Sequence, residues 1–350
     1  MHYLLTYFWY HQSMSRDQVR TILKITAVLT VISCGIIIAL PSLFAFTVDH
    51  EPSPFTSSGM FPITVDPKNK TILDDARVNA FLEGPTSPLQ AAAGTTGNTL
   101  WKVFAFIAKT ISNASWYQSI ASVDGRFVTI TAGMRKEQVA SAFAKTLSWN
   151  TAQKSEFLTA TAASPLPFFE GSFAPGTYVV SSGTTPKQAQ ELVNERFTKI
   201  ILSHYGTTTA AIVPLDEALT IASLIQRETI GTADMRLVSG VIWNRIFAGM
   251  NLQIDASLQY AKANTPATNS WWPKVIPADT RRRSPYNTYL NPGLPPTPIA
   301  NPSVAAVVAA LNPIKTSCFF YFNDEVGDIH CTDTYAEHVA LLKQYYGRGK

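Results

Sequence analysis

The sequence predicts an α+β protein in three parts: a single N-terminal helix long enough to span a membrane, a small α+β module, and a mixed α/β C-terminal domain. Three observations carry this. Ile25 to Val48 runs for 24 residues without a charge. Phe127–Thr131 (FVTIT) is a β-branched stretch followed by a turn at Gly133 and a helix over Lys136–Leu147, with Val139, Phe143 and Leu147 on one face. Leu215–Gly231 and Thr232–Gly249 read as two successive amphipathic helices, the second with Met235, Val238, Ile242 and Ile246 inward and Gly249 as its stop.

At 1.5 Å per residue the uncharged run spans a hydrocarbon core of ~30 Å with some tilt. Arg16, Arg20 and Lys24 precede it, and Asp49 and Glu51 follow. The bias of positive charge puts residues 1–24 in the cytoplasm and everything after about residue 49 outside. A cleaved signal peptide is the rival reading; it fits less well because the run exceeds the usual ~7–15-residue apolar region and starts late.

Composition narrows the rest. With 350 residues, 46% hydrophobic and 15% charged, the chain can bury a sizeable core and is not of the disordered class. The formal net charge of +4, with no basic run interleaved with aromatics, argues against a nucleic-acid partner.

Between the anchor and residue 126, PITVDP suggests a strand, Leu82–Thr99 a loop, and Leu100–Ile111 a short amphipathic helix that packs on its own domain or lies on the bilayer surface. A loop ending in a strand (SPLPFFEGSFAPGTYVV) and a helix over Thr185–Tyr205 follow the strand–turn–helix unit.

Leu215–Gly231 contains the residue of greatest chemical interest. Pro214 precedes the helix, Asp216 is placed to cap its first amides, and Gly231 supplies a stop. Ile221, Leu224 and Ile225 mark one face, and the next position on that face is Glu228. A carboxyl on an apolar stripe is desolvated, which raises its pKa and keeps a proton available for general-acid catalysis. The structural alternative is that Glu228, near the helix end, reaches out to water.

Further on, SPYNTYLNPGLPPTPIANP holds six prolines, so no regular element persists there. Its Tyr286, Asn287, Tyr289 and Asn291 suit a carbohydrate surface, where rings stack and amides meet hydroxyls; a rigid structural wrap is the alternative. Ser303–Leu311 reads as a short helix, and a last helix starts at Tyr335. Cys34 lies in the anchor, leaving Cys318 and Cys331 outside. A hairpin turning around Asp324 and Glu325 brings those two opposite each other, and a disulfide is one outcome, although the register is not fixed by sequence. Zinc held by these cysteines with His330 and His338 is disfavoured, since no paired ligand spacing is present.

Six strings in this order resemble the endolytic murein transglycosylases of the YceG-like (MltG) family: FFEGSFAPGTYVV, ASLIQRE around Glu228, NRIFAGMNLQID, the proline-rich loop, ALNPIKTSCFFYF and IHCTDTYAEH. The similarity covers about residues 127 to 345. It implies a cytoplasmic segment 1–24, a transmembrane helix 25–48, a tether 49–60, a LysM-like accessory region 61–205 and a catalytic domain 206–350.

The resemblance further implies cleavage within peptidoglycan glycan strands, between N-acetylmuramic acid and N-acetylglucosamine, without water. One glutamic acid, matched by Glu228, protonates the glycosidic oxygen. The muramoyl C6 hydroxyl then closes on the anomeric carbon to leave a 1,6-anhydro end. No second catalytic carboxylate, metal or organic cofactor is required. Gln253 and Asp255 match the LQ-x-D segment and are expected to line the cleft; Tyr286, Asn287 and Tyr289 are expected glycan contacts. Arg245 is expected to brace helices, and His338 to make a structural hydrogen bond. Cell-wall synthases are implied as partners by the family alone.

The chain departs from the pattern at Gln226, where many relatives have a second acid, and at Ala132 and Ala256. Two other functions stay open at this point: a non-catalytic LysM-like glycan-binding scaffold, and a hydrolase using Asp255 as its second carboxylate.

Overall fold

The computed structural model describes residues 17, 20–31, 33, 35, 59–83, 110, 125–162, 170–263 and 270–347. Residues 20–31 are helical. Most of the predicted span 25–48 and the predicted 100–111 helix lie outside the described residues, and no helix among the described residues is long and apolar enough to cross a membrane.

Two hydrophobic cores organise the described residues. The larger is built on α9 (Val304–Leu311, VAAVVAAL), whose eight side chains are all buried. Ser303 caps it, accepting from the Ala306 amide at 3.2 Å. Around it pack α6 (Leu215–Glu228) and α7 (Met235–Phe247), and α8 (Asp255–Ala263) packs in turn on α6. Trp243 of α7 is buried and donates its Nε1 proton to the Ala310 carbonyl at 2.8 Å. Gly240 lets α7 approach the loop after α9, because a Cβ there would sit 2.3 Å from the Ile314 carbonyl oxygen.

The smaller core lies in a unit of order βααβ: β3 (Gly125–Ile130), α2 (Lys136–Leu147), α3 (Thr151–Ala162) and β4 (Gly176–Ser181). The two strands pair antiparallel, from Gly125 opposite Ser181 to Ile130 opposite Gly176. Phe143, Phe157, Phe173 and Tyr178 fill its centre, and α4 (Pro186–Ile200) closes it with Ala189 and Val193. A helix α3 is absent from the expectations. Its sequence TAQKSEFLTATA shows little apolar period, and Phe157 is the one buried side chain among those described.

The cores do not divide where the sequence suggested. Residues 61–83, expected in the accessory region, join the larger core through Phe61, Val65, Ile72 and Leu82. They form the short pair β1 (Val65–Asp66) and β2 (Thr71–Ile72), then α1 (Ala76–Glu83). Buried Asn312 donates to the Pro62 carbonyl at 2.7 Å, the Thr64 amide donates to Leu311 O at 3.0 Å, and buried Arg236 reaches Glu83 and Asn79. The strap is therefore part of the C-terminal unit. After the short α5 (Thr207–Ile212), the chain enters α6.

Candidate active site

α6 runs from Leu215 to Glu228. Pro214, not Asp216, stands at its N-cap, and no side chain caps it; Asp216 and Glu217 lie in the first turn, where their charge suits the helix dipole. The helix ends at Glu228, before Gly231, with Thr229 extended and its hydroxyl turned back to the Ile225 carbonyl at 3.0 Å. Ala218–Ile225 are buried, so the last turn delivers Glu228 half-buried at the edge of the core.

One group sequence reasoning missed meets it there. Tyr321, on β5 (Phe320–Asn323), donates its phenol to Glu228 Oε2 at 2.9 Å. Desolvation raises the pKa of Glu228, and the charge of Asp255 adds to this; the Tyr321 hydrogen bond, the Ala256 amide at the start of α8 and Arg227 oppose it. The net direction is upward, as expected of a general acid. Burial likewise holds the Tyr321 phenol well above its ordinary range, so it remains a donor.

The hairpin carrying Tyr321 is fixed at its base. Asn244 donates to the carbonyls of Thr316 (2.8 Å) and Cys318 (3.0 Å), and buried Arg245 donates to Phe319 O (2.7 Å) and to Leu252 O. Arg245 is thus a brace, as expected, but it ties the hairpin to the loop before α8. Cys318 and Cys331 are joined in a disulfide with Cα atoms 5.7 Å apart, which also occupies the thiols of the zinc alternative. The register differs from the expected one: β5 and β6 (Ile329–Thr332) pair Tyr321 with Cys331, and the turn centres on Val326. Asp324 Oδ1 accepts the amides of Val326 (3.1 Å) and Asp328 (2.9 Å), and Gly327 takes φ +95°. His338, on α10 (Tyr335–Tyr346), packs against Phe320 and Phe322, and its Nδ1 has no hydrogen-bond partner, so the expected structural bond is not made there.

The loop before α8 brings two further expected residues to this side. Gln253 is exposed and held at φ +51°, a conformation costing ~1 kcal/mol or more for a non-glycine residue, while its amide donates to Thr288 O at 3.0 Å. Asp255, exposed at the first position of α8, accepts from Tyr289 at 2.7 Å. The other two expected contacts sit deeper. Asn287 is fully buried: its NH2 donates to Thr280 O (3.0 Å) and Arg282 O (2.7 Å), and its oxygen accepts the Tyr289 amide (2.9 Å). Tyr286 packs on Tyr260 with ring centroids 4.8 Å apart and shares a 2.8 Å hydrogen bond with Thr297. These two build the proline-rich loop from within, while Tyr289 faces the acid side.

The two units meet at a seam around Glu170. Glu170, in the turn before β4, is buried and accepts the Lys136 amide (2.8 Å) and the Tyr260 hydroxyl (3.2 Å). Desolvation pushes its pKa up to about 8, against the pull of Lys136 and Arg135. Arg135 lies over the Tyr260 ring at 4.1 Å, and Asn301 bridges to Met134 O at 2.7 Å.

With the geometry in place, comparison with known proteins is decisive for the family: the sequence matches the model of the YceG-like family over residues 103–344. The chain belongs to the YceG-like family. An endolytic murein transglycosylase of Streptococcus pneumoniae is 30% identical over 170 residues, 48% of this chain and 31% of that protein. The chain thus spans about a third of that relative's length. An endolytic murein transglycosylase of Bacillus subtilis is 27% identical over 326 residues, 92% of this chain and 82% of its relative. The fold is shared with the crystal structure of a yceG-like protein of Listeria monocytogenes, with a TM-score of 0.54 at 21% identity, covering 72% of this chain and 94% of that one. Within this YceG-like chain, Glu228 is half-buried and held by the Tyr321 phenol.

Proposed function

We propose that this chain is an endolytic murein transglycosylase with Glu228 as its acid and base. The carrying observation is the setting of Glu228: a half-buried carboxyl raised in pKa by desolvation, with Oε2 held by Tyr321 at 2.9 Å and the Ala256 amide at its side. The names of the relatives support the substrate class.

In this reading Glu228, protonated, gives its proton to the glycosidic oxygen as the bond between the muramoyl anomeric carbon and that oxygen breaks. The resulting carboxylate accepts the proton of the muramoyl C6 hydroxyl as its oxygen closes on the anomeric carbon. Tyr321 and the Ala256 amide favour the carboxylate between the two steps. Gln253, Asp255 and Tyr289 face the glycan, and Tyr286 and Asn287 hold the loop that presents Tyr289.

The chain is further read as anchored in the cytoplasmic membrane by residues 25–48, with the catalytic unit outside. Exposed Leu23, Ile25, Val28, Leu29 and Val31 on the helical residues 20–31 suit a lipid surface. The strap 61–83 joins the tether straight to the catalytic core, which keeps the acid close to the bilayer. The βααβ order and antiparallel β3–β4 pairing support the LysM-like reading of the smaller unit.

The test uses the full-length chain in detergent, as wild type and Glu228→Gln, with purified peptidoglycan and mass spectrometry of the products. Anhydro-muramoyl ends from the wild type alone are expected. Reducing ends would identify a hydrolase instead, and binding without cleavage by either form a scaffold.

A further inference from the structure

Arg227 immediately precedes the acid, and the structure surrounds it in an unusual way. Its guanidinium carbon lies over the Trp272 ring, 3.9 Å from the centroid, so the group rests on the indole. Trp272 is itself oriented by α2, its Nε1 donating to Gln138 Oε1 at 3.3 Å. On another side stands the turn after β3. Gly133, at φ +85°, is close enough that a Cβ would come 3.2 Å from Arg227 Nη1. The guanidinium is therefore packed by elements of both units.

Glu228, next along the helix, acts on Arg227 through charge, but no carboxylate among the described residues is hydrogen-bonded to it. Arg227 Nε is buried without a hydrogen-bond partner, and Arg227 makes no ion pair or hydrogen bond among the described residues. Two other arginines of the same unit are occupied: Arg245 by two carbonyls, Arg236 by Glu83 and the Asn312 carbonyl. A buried Nε–H left without an acceptor on a half-buried guanidinium costs free energy that an acceptor from a ligand would recover. The rigid fork laid against an aromatic ring is the geometry that takes a planar carboxylate through paired N–H donors.

We propose that Arg227, held on Trp272 beside Glu228, is a recognition site for a carboxylate of the peptide substituents on the glycan. This rests on the murein reading above, and it makes the chain selective for peptide-bearing strands over bare ones. The position suits the task. A muramoyl residue placed with its glycosidic oxygen at Glu228 carries its lactyl-linked peptide on the same sugar, next door to position 227. The indole backs the guanidinium, and Gly133 brings no side chain against its Nη1.

The test measures kcat and KM of the full-length chain in detergent on uncross-linked glycan strands with their peptide stems, and on the same strands after amidase has removed them. Arg227→Gln is expected to lose ~10- to 100-fold in kcat/KM on peptide-bearing strands, mainly through KM, and to bring the ratio between the two strand types toward one. Arg227→Lys, which keeps the charge and the packing stem but not the fork, falls between. Equal losses on both strand types, or no loss, would overturn the proposal. An equal loss with a shifted pH profile would assign Arg227 to Glu228 instead. Co-sedimentation with both strand types of Glu228→Gln, with and without Arg227→Gln, reads the same preference without turnover. A wild-type chain that fails to cleave would therefore defeat the lytic reading and still leave the carboxylate site decided.

Discussion

Tyr321 donates its phenolic proton to Oε2 of Glu228 across 2.9 Å, from a position 93 residues further along the chain. The bond favours the ionised carboxyl, so it works against the desolvation that raises the pKa of Glu228. In Tyr321→Phe that opposition is gone and the pKa of Glu228 rises further. Activity that needs the protonated acid is lost as pH climbs through this pKa, so the basic limb of the pH–kcat profile is expected to move to higher pH. A rate loss of roughly tenfold at neutral pH accompanies it, because one hydrogen bond to a charged group no longer orients the carboxyl. An unmoved limb would make Tyr321 a packing residue only.

Asp255 acts with the opposite sign. Its charge is one of the causes that raise the pKa of Glu228. Asp255→Asn removes it, and the basic limb is expected to move to lower pH while the products keep their anhydro ends. Complete loss of cleavage, or reducing ends in the wild type that vanish in the variant, would mark Asp255 as a second catalytic carboxylate.

How much of this could be read beforehand depends on the range of the interaction. The α2 bounds Lys136–Leu147 and the place of Glu228 on the face of Ile221, Leu224 and Ile225 follow from the helical period, and both are found in the structure. Glu228–Tyr321 is set by packing between α6 and a distant hairpin, and no local pattern marks it. The βααβ unit hid α3, because a helix against a small aromatic core needs only Phe157 to hold it. The hairpin register turned on one side chain: Asp324 captures two amides beyond it and moves the turn to Val326. Asn287 looked like a sugar ligand because a buried amide and an exposed one are the same letter in a proline-rich loop.

The Cys318–Cys331 bond closes a loop of 13 residues' separation around the strand that carries Tyr321. A cross-link over such a loop stabilises by roughly 3 kcal/mol in the chain-entropy picture. The double variant Cys318→Ser, Cys331→Ser is expected to melt at a lower temperature and to lose kcat more than it gains KM, since Tyr321 is less well held. Unchanged melting and kcat would show that Asn244 and Arg245 hold the hairpin by themselves.

Glu170 gives a stability signature separate from catalysis. Its pKa of about 8 in the folded chain stands above the ordinary value of 4.5, raised chiefly by burial. Between those two pH values the folded state keeps a proton that the unfolded chain has released. The stability this contributes is full below about pH 4.5 and is lost as pH rises through 8, at a slope of about 1.4 kcal/mol per pH unit. Lys136, Arg135, Glu137 and Tyr260 face the group and act on the wild type as well as on a variant. Glu170→Gln keeps the shape and cannot ionise, so its melting temperature is expected to vary less with pH from 5 to 8 than that of the wild type. Parallel melting curves for the two chains across that range would mean that Glu170 is already ionised at the seam, balanced by Lys136 at 3.8 Å.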